Sequence, residues 1–294
     1  MEIVVTGGRG FIGSHVARYA ERAGHRVRFF DKREGNDILG PLEGLYDRDG
    51  RAPGAVIHLA GMLGTMEMFD TVSDAALVNV VGSARIAEWC SRNEVQYTGI
   101  LVPDVFPSIY CATKAGAKRI TDALHANGRL RCSHVIAYNA FGPGQAYGPG
   151  HPRKFGPTFS VAAWNHQPIP IWGDGTALID PVPVQVVARM LVDATRFGGN
   201  EVFDGGVGMA VTVNEVAQQV LQITRSPAGI AYEPMRVGET PTNIAATGRG
   251  WDLLDWNPKE EYGVFWRHYL RDTVVSYQGV PFDGEYASGH LSPA

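Results

Sequence analysis

Short apolar runs alternate with helix-spaced segments along the first half of the chain. Ile3-Val4-Val5 is an apolar run closed by Thr6, and a glycine cluster from Gly7 to Gly13 follows it. Ser14 to Ala23 carries helical spacing and stops at Gly24; His25 to Phe30 then reads as a second strand, closed by Asp31. Strand, glycine turn, helix and strand make a βαβ unit. The alternation continues with a strand at Ala55–Ala60, a helix at Ala75–Asn93 and a strand at Tyr97–Val102. A helix at Tyr110–Ala126 and a strand at Cys132–Ala137 complete it. Such alternation predicts an α/β fold, a Rossmann-like doubly wound parallel sheet covered on both faces.

The pattern changes after Tyr138. Phe141 to Pro157 is dense in glycine and proline and reads as loop. A helix at Thr158–Asn165, a return segment at Val182–Phe197 and a helix at Val213–Ile223 come next. Ala228 to Ala294 is weakly periodic and reads as a smaller irregular lobe, with Tyr286 to Ala294 a frayed end. The expected division is a dinucleotide-binding domain over 1–150 that takes back a return segment near 180–210. A substrate-binding lobe and tail would cover 151–179 and 211–294.

Composition narrows the function classes. The net charge of -4 offers no basic footprint for nucleic acid or an anionic membrane. Three scattered cysteines, without a Cys-x-x-Cys pair or a Cys/His cluster, give no metal site. No apolar run is long enough to span a bilayer, and Met1 leads straight into a strand with no room for a signal peptide. A cytoplasmic protein is therefore expected.

The glycine cluster fits two spacings, GxxGxxG through Gly7, Gly10 and Gly13, and GxGxxG through Gly8, Gly10 and Gly13. A strand that turns sharply into a helix brings its backbone against a pyrophosphate, with the helix N-terminus supplying N–H donors. Asp31, at the end of the second strand, can accept from the adenosine ribose hydroxyls and would repel a 2′-phosphate, which favours NAD over NADP. Lys32 and Arg33 follow it and pull the other way.

With these motifs the chain resembles the extended short-chain dehydrogenase/reductase family, the NAD-dependent nucleotide-sugar epimerases and dehydratases. The resemblance rests on Thr6 to Gly13, Asp37-Ile38, His58-Leu59-Ala60-Gly61, Asn79 to Ser83 and Tyr110-Cys111-Ala112-Thr113-Lys114. Asn139 to Gln145, Gly173-Asp174-Gly175 and Arg236 to Glu239 extend it along the chain. It implies NAD held by Gly7, Gly10, Phe11, Ile12, Gly13, Asp31 and Lys32, with Asp37 and Ile38 at the adenine. Leu59, Ala60 and Gly61 would line the nicotinamide side, and Asn79 would help fix the cofactor. It implies a Tyr110/Lys114 catalytic pair, and a nucleotide-diphosphate sugar contacted by Thr65, Asn139 and Arg236. It further implies a homodimer through the helices carrying Asn79 and Tyr110.

The pair is chemically reasonable on its own terms. Tyr110 and Lys114 lie four apart, on one helix face. Free tyrosine titrates near ~10, and an ammonium and a nicotinamide cation nearby would favour the phenolate. Three departures stand out. The family's Ser or Thr after the fifth strand is missing, the segment reading Pro103-Asp104-Val105-Phe106-Pro107-Ser108, so Ser108, Thr65 and Asp104 become candidate replacements. Val105 stands where dehydratases carry the second of two acids, and Ile179 stands where an Arg often meets the diphosphate. The expected activity is a nucleotide-sugar epimerase acting at C4. Alternatives are a dehydratase, decarboxylase or reductase of the same family, or a catalytically impaired binding protein. His58 and His134 are expected to be packed, His151 lies in the loop, and Trp164 and Trp172 are placed beside the nucleotide pocket.

Overall fold

A computed structural model describes residues 1–239 and 244–288. β1 (Glu2–Thr6) runs in the middle of a parallel sheet, with β2 (Arg26–Phe30) on one side and β3 (Ala55–His58) on the other. β4 (Gln96–Leu101) and β5 (Cys132–Ala137) extend it beyond β3. Four short strands follow in the chain: β6 (Asn139–Phe141), β7 (Ile169–Trp172), β8 (Leu178–Ile179) and β9 (Pro181–Pro183). β10 (Gly199–Gly205) then returns to close the six-stranded order β10-β5-β4-β3-β1-β2. The direction of winding reverses between β1 and β3, so the crevice beyond their carboxyl ends is the natural ligand site.

β1 and β3 read as largely apolar runs because both sheet faces are covered. Ile3, Val5, Ile57 and Val135 point to one face, against Val16 and Ala20 of α1 (Phe11–Arg22). Val4, Phe30, Val56 and Cys132 point to the other. There they meet Ile86, Ala87 and Cys90 of a helix that begins as α2 (Val72–Ala76), passes through a π-turn at Leu77–Gly82 and continues as α3 (Ser83–Arg92). α4 (Ile109–Ala126) packs beside that helix. The expected helix at Ala75–Asn93 is thus longer at its start and widened in the middle. α1 likewise starts at Phe11, not Ser14, because the glycine turn is tighter than its sequence suggests.

A second core gathers residues from the later part of the chain. Phe159 of α5 (Phe155–Trp164), Val216 and Val220 further along the chain, and Ile169 and Ile171 of β7 pack with Trp266 and Leu270. The return segment expected at Val182–Phe197 divides into β9 and α6 (Val184–Ala194). The buried face of α6 joins the core between α1 and the sheet. β11 (Val211–Thr212), α7 (Val213–Thr224) and β12 (Ile230–Glu233) follow, the last pairing in parallel with β7. The weakly periodic end holds α8 (Pro258–Glu261), α9 (Trp266–Val275) and α10 (Gly284–Ser288).

The expected fraying from Tyr286 is overturned where the chain is described. Tyr286 is only 6% exposed, and its carbonyl accepts a hydrogen bond from Arg153 Nε. Residues 289–294 of that segment lie outside the described residues. Among the described residues, no helix is long and apolar enough to cross a membrane.

Candidate active site

The turn after β1 can be built only from glycine at two points. Gly7 has φ +67°, and a Cβ there would lie 2.8 Å from the Ala60 nitrogen. A Cβ on Gly13 would lie 2.6 Å from the Gly7 oxygen. α1 therefore starts flush against the turn and against the loop after β3. Gly10 caps α1 without a side chain, which leaves the first-turn N–H groups, from Phe11 to Gly13, open to an anion.

Asp31 sits beside this turn with both oxygens fixed. Oδ2 accepts from the Arg9 amide and Oδ1 from the Arg33 amide, each at 2.9 Å. The cations around it are engaged. Lys32 pairs with Asp37 at 3.0 Å, Arg33 donates to the Arg9 carbonyl, and Arg9 lies over the Phe29 ring and pairs with Glu34. Among the described residues the cations next to Asp31 are each paired, an arrangement that suits NAD. Asp37 is held below the ordinary carboxylate range by the Leu39 amide and then by Lys32. Ile38 is buried in the core under Gly82.

A buried chain of hydrogen bonds sets the loop carrying Leu59, Ala60 and Gly61. Thr6 Oγ1 meets His58 Nδ1 at 2.7 Å, His58 Nε2 meets Ser83 Oγ at 2.9 Å, and Ser83 donates to the Asn79 carbonyl. Thr6 Oγ1 also accepts from the Leu59 and Ala60 amides. Burial holds His58 neutral, pushed down to about 3, so it packs as expected. The Asn79 amide, in the π-turn, accepts from the Met62 amide and donates to the Met62 carbonyl and to Thr113 Oγ1. At 1% exposure Asn79 braces the loop and α4 together, so it would act on a cofactor through the loop.

α4 begins at a cap made by Ser108, whose Oγ accepts from the Cys111 amide. One turn in, Lys114 is buried beneath the loop after β3. Its Nζ is 3.8 Å from where a Cβ on Gly61 would sit, and burial pushes it down to about 8. Tyr110 is half-buried, and burial, with Cys111 beside it, pushes its phenol up from its ordinary value.

Tyr110 faces a cavity of about 120 Å³ that Thr65, Tyr138, Asn139, Lys154 and Ile244 also line. Several polar groups there lack partners among the described residues. Asn139 Oδ1 is buried without a hydrogen bond, and neither Thr65 Oγ1 nor Lys154 Nζ has a partner among the described residues. Arg236 stands at the margin rather than in the cavity. It lies 4.3 Å over the Trp172 ring and forms a two-pronged pair with Glu239.

Of the candidates for the missing hydroxyl, Asp104 is on an exposed bend outside the cavity, while Ser108 and Thr65 both line it; Ser108 Oγ already accepts from the Cys111 amide as the helix cap, and Thr65 Oγ1 has no partner among the described residues. Trp164 gives its indole N–H to the Val274 carbonyl and packs in the second lobe, not at the nucleotide. His151 is exposed.

Sequence reasoning missed Lys154 and Ile244. Lys154 was hidden in the glycine- and proline-rich loop, and its only signal was a cation directly before α5. Ile244 reaches the cavity through Asp180. That carboxylate accepts from the Val207, Gly208, Met209 and Ala246 amides and so ties the segment after β10 to the one bearing Ile244.

The chain is similar to several known proteins. A UDP-glucose 4-epimerase from Mycolicibacterium smegmatis is 26% identical over 298 residues, which is 88% of this chain and 94% of that protein. A dTDP-4-dehydro-6-deoxy-D-allose reductase from Streptomyces bikiniensis is 23% identical over 92% of this chain and 97% of its own length. The fold matches the epimerase structure from Methanothermobacter thermautotrophicus with a TM-score of 0.84 at 24% identity, over 94% of this chain and 91% of that one. The family model for the NAD dependent epimerase/dehydratase family matches residues 3–102 and 103–203, both the cofactor turn and the Tyr110/Lys114 helix, and the chain belongs to that family.

Proposed function

We propose that the chain is a nucleotide-sugar epimerase acting at C4 by transient oxidation, with Tyr110 as its base. The observation that carries this is the convergence of unpartnered polar groups on one cavity, Tyr110, Thr65, Asn139 and Lys154, with Lys114 one turn further along α4 beneath the loop that carries Gly61. Buried polar groups without partners are costly and mark a place where a ligand completes them. Gly10 to Gly13 would hold the pyrophosphate of NAD, Asp31 the adenosine ribose, and Lys114 the nicotinamide ribose. NAD, when bound, supplies a reversible hydride acceptor and a positive charge that favours the Tyr110 phenolate.

Tyr110 takes the proton of the sugar C4 hydroxyl and later returns it, Lys114 steadies the phenolate, and Thr65 serves in place of the missing hydroxyl. Asn139 and Arg236, the latter still paired with Glu239, take the diphosphate. Asp104 lies outside the cavity, which argues against the paired acids of a dehydratase. Relatives and neighbours include UDP-glucose 4-epimerases from Corynebacterium glutamicum and Thermotoga maritima, the latter with UDP-glucose.

The functional unit is proposed to be a homodimer. Leu77 and Val81, 47% and 45% exposed and one turn apart on the helix bearing Asn79, form an apolar strip that suits a second copy. Incubation with UDP- and dTDP-hexoses, with products followed by NMR, tests the activity. Inversion at C4 with no net loss of atoms is expected; loss of water or net reduction would replace the proposal with another reaction of the family.

A further inference from the structure

We propose that Lys154 recognises a carboxylate on the hexose, so that the preferred substrate is a nucleoside-diphosphate hexuronate. The inference rests on the epimerase reading, since it takes the sugar to lie in the Tyr110 cavity. Lys154 lines that cavity and makes no hydrogen bond or ion pair among the described residues. Its charged neighbours are Arg236, Glu239 and Glu67. Glu239 is committed to Arg236 through two contacts, and Glu67 lies 3.9 Å from Arg153. Two carboxylates therefore face three cations, Arg153, Lys154 and Arg236, and the ammonium left over is the one that opens into the cavity. A cation withdrawn from water without a counter-ion is unfavourable, and an anionic ligand removes that penalty. Burial lowers the Lys154 pKa, in keeping with this unmet charge.

Lys154 is held, not trailing. It is the N-cap position of α5 in extended backbone, and its carbonyl accepts from the Thr158 amide. The preceding Arg153 is 9% exposed, bonded to the Tyr286 carbonyl and lying 5.2 Å over the Tyr286 ring. With the C4 hydroxyl at Tyr110, a group in the same small cavity reaches the substituents that flank C4. The carbon beyond C5 is one of these, and it carries the carboxylate of a hexuronate. A hydroxymethyl there would leave the ammonium without its counter-charge.

The test is calorimetric titration of the NAD-loaded protein with UDP-glucuronate and UDP-glucose, and with the corresponding dTDP sugars. The proposal expects the uronate to bind about ten- to a hundredfold more tightly. Lys154→Met should cost the uronate far more affinity than the neutral sugar and so erase that preference, with the melting temperature read alongside, and Lys154→Arg should restore part of it. Equal binding of both sugars overturns the proposal. So does an equal loss for both in Lys154→Met, which would assign the ammonium to the diphosphate. Turnover of UDP-glucose without charge preference sinks this inference and leaves the epimerase reading standing. Selective uronate binding without C4 inversion does the reverse, and failure of every nucleotide sugar to bind removes both.

Discussion

Two glycines of the cofactor turn can be separated by what a methyl group would meet. At Gly13 the added Cβ would sit 2.6 Å from the Gly7 oxygen and 2.7 Å from the Gly8 Cα, all of it backbone that cannot rotate away. Gly13→Ala must push α1 off the turn. Overpacking of this kind costs ~1–3 kcal/mol, which lowers the melting temperature by roughly 2–12 °C at ~2–4 °C per kcal/mol. At Gly10 the only close neighbour is the Gly7 oxygen at 3.1 Å, and the backbone, φ -77° and ψ 177°, suits any residue. Gly10→Ala should therefore cost below ~1 kcal/mol in stability. Its methyl would instead stand over the helix N-terminus, where the pyrophosphate is proposed to bind. Losing even one charge-assisted contact of ~1.5–3 kcal/mol weakens NAD by about ten- to a hundredfold. Thermal melts and NADH fluorescence titrations on the two variants should thus separate, Gly13→Ala failing mainly in stability and Gly10→Ala mainly in affinity. Wild-type NAD affinity in Gly10→Ala would refute the placement of the pyrophosphate.

Other outcomes follow from single features. His58 and His134 are buried and held down to about 3, so the unfolded chain, with histidines near 6.5, takes up protons first. Stability should fall as pH drops below about 6.5, by about 2 kcal/mol for each histidine between pH 7 and pH 5. Equal denaturant midpoints at the two pH values would contradict it. Asp31→Asn should weaken NAD about ten- to a hundredfold and narrow the preference over NADP, read by paired titrations; an unchanged ratio would show that Asp31 does not sense the ribose. Val81→Glu should convert the proposed dimer to a monomer by light scattering, and a monomeric wild type would dispose of the interface.

Much of the sheet was legible because central parallel strands are buried on both faces, so Ile3-Val4-Val5 and Ala55-Val56-Ile57 stand out as runs. The cofactor turn was legible because only glycine satisfies the contacts at Gly7 and Gly13. The π-turn at Leu77–Gly82 was not, since its widening comes from the Asn79 and Ser83 hydrogen bonds to distant or buried partners rather than from a local pattern. The placement of Tyr286 was equally hidden, because its partner Arg153 lies 133 residues away. Lys154 escaped for the same reason: a cation in a loop reads as solvated until the fold removes its counter-ions and turns it into the cavity.

The central claim is that Tyr110 moves the proton of the sugar hydroxyl, and Tyr110→Phe tests it most directly. The variant keeps the ring that fills the cavity wall and deletes only the group that titrates. The measurement is kcat on a nucleotide sugar that the wild type inverts at C4, taken alongside the NAD dissociation constant of the same preparation. A general base contributes ~10²–10⁴-fold, so turnover should fall by that factor while NAD binds within about twofold of wild type. Wild-type turnover in Tyr110→Phe would contradict the account and move the base to another group in the cavity.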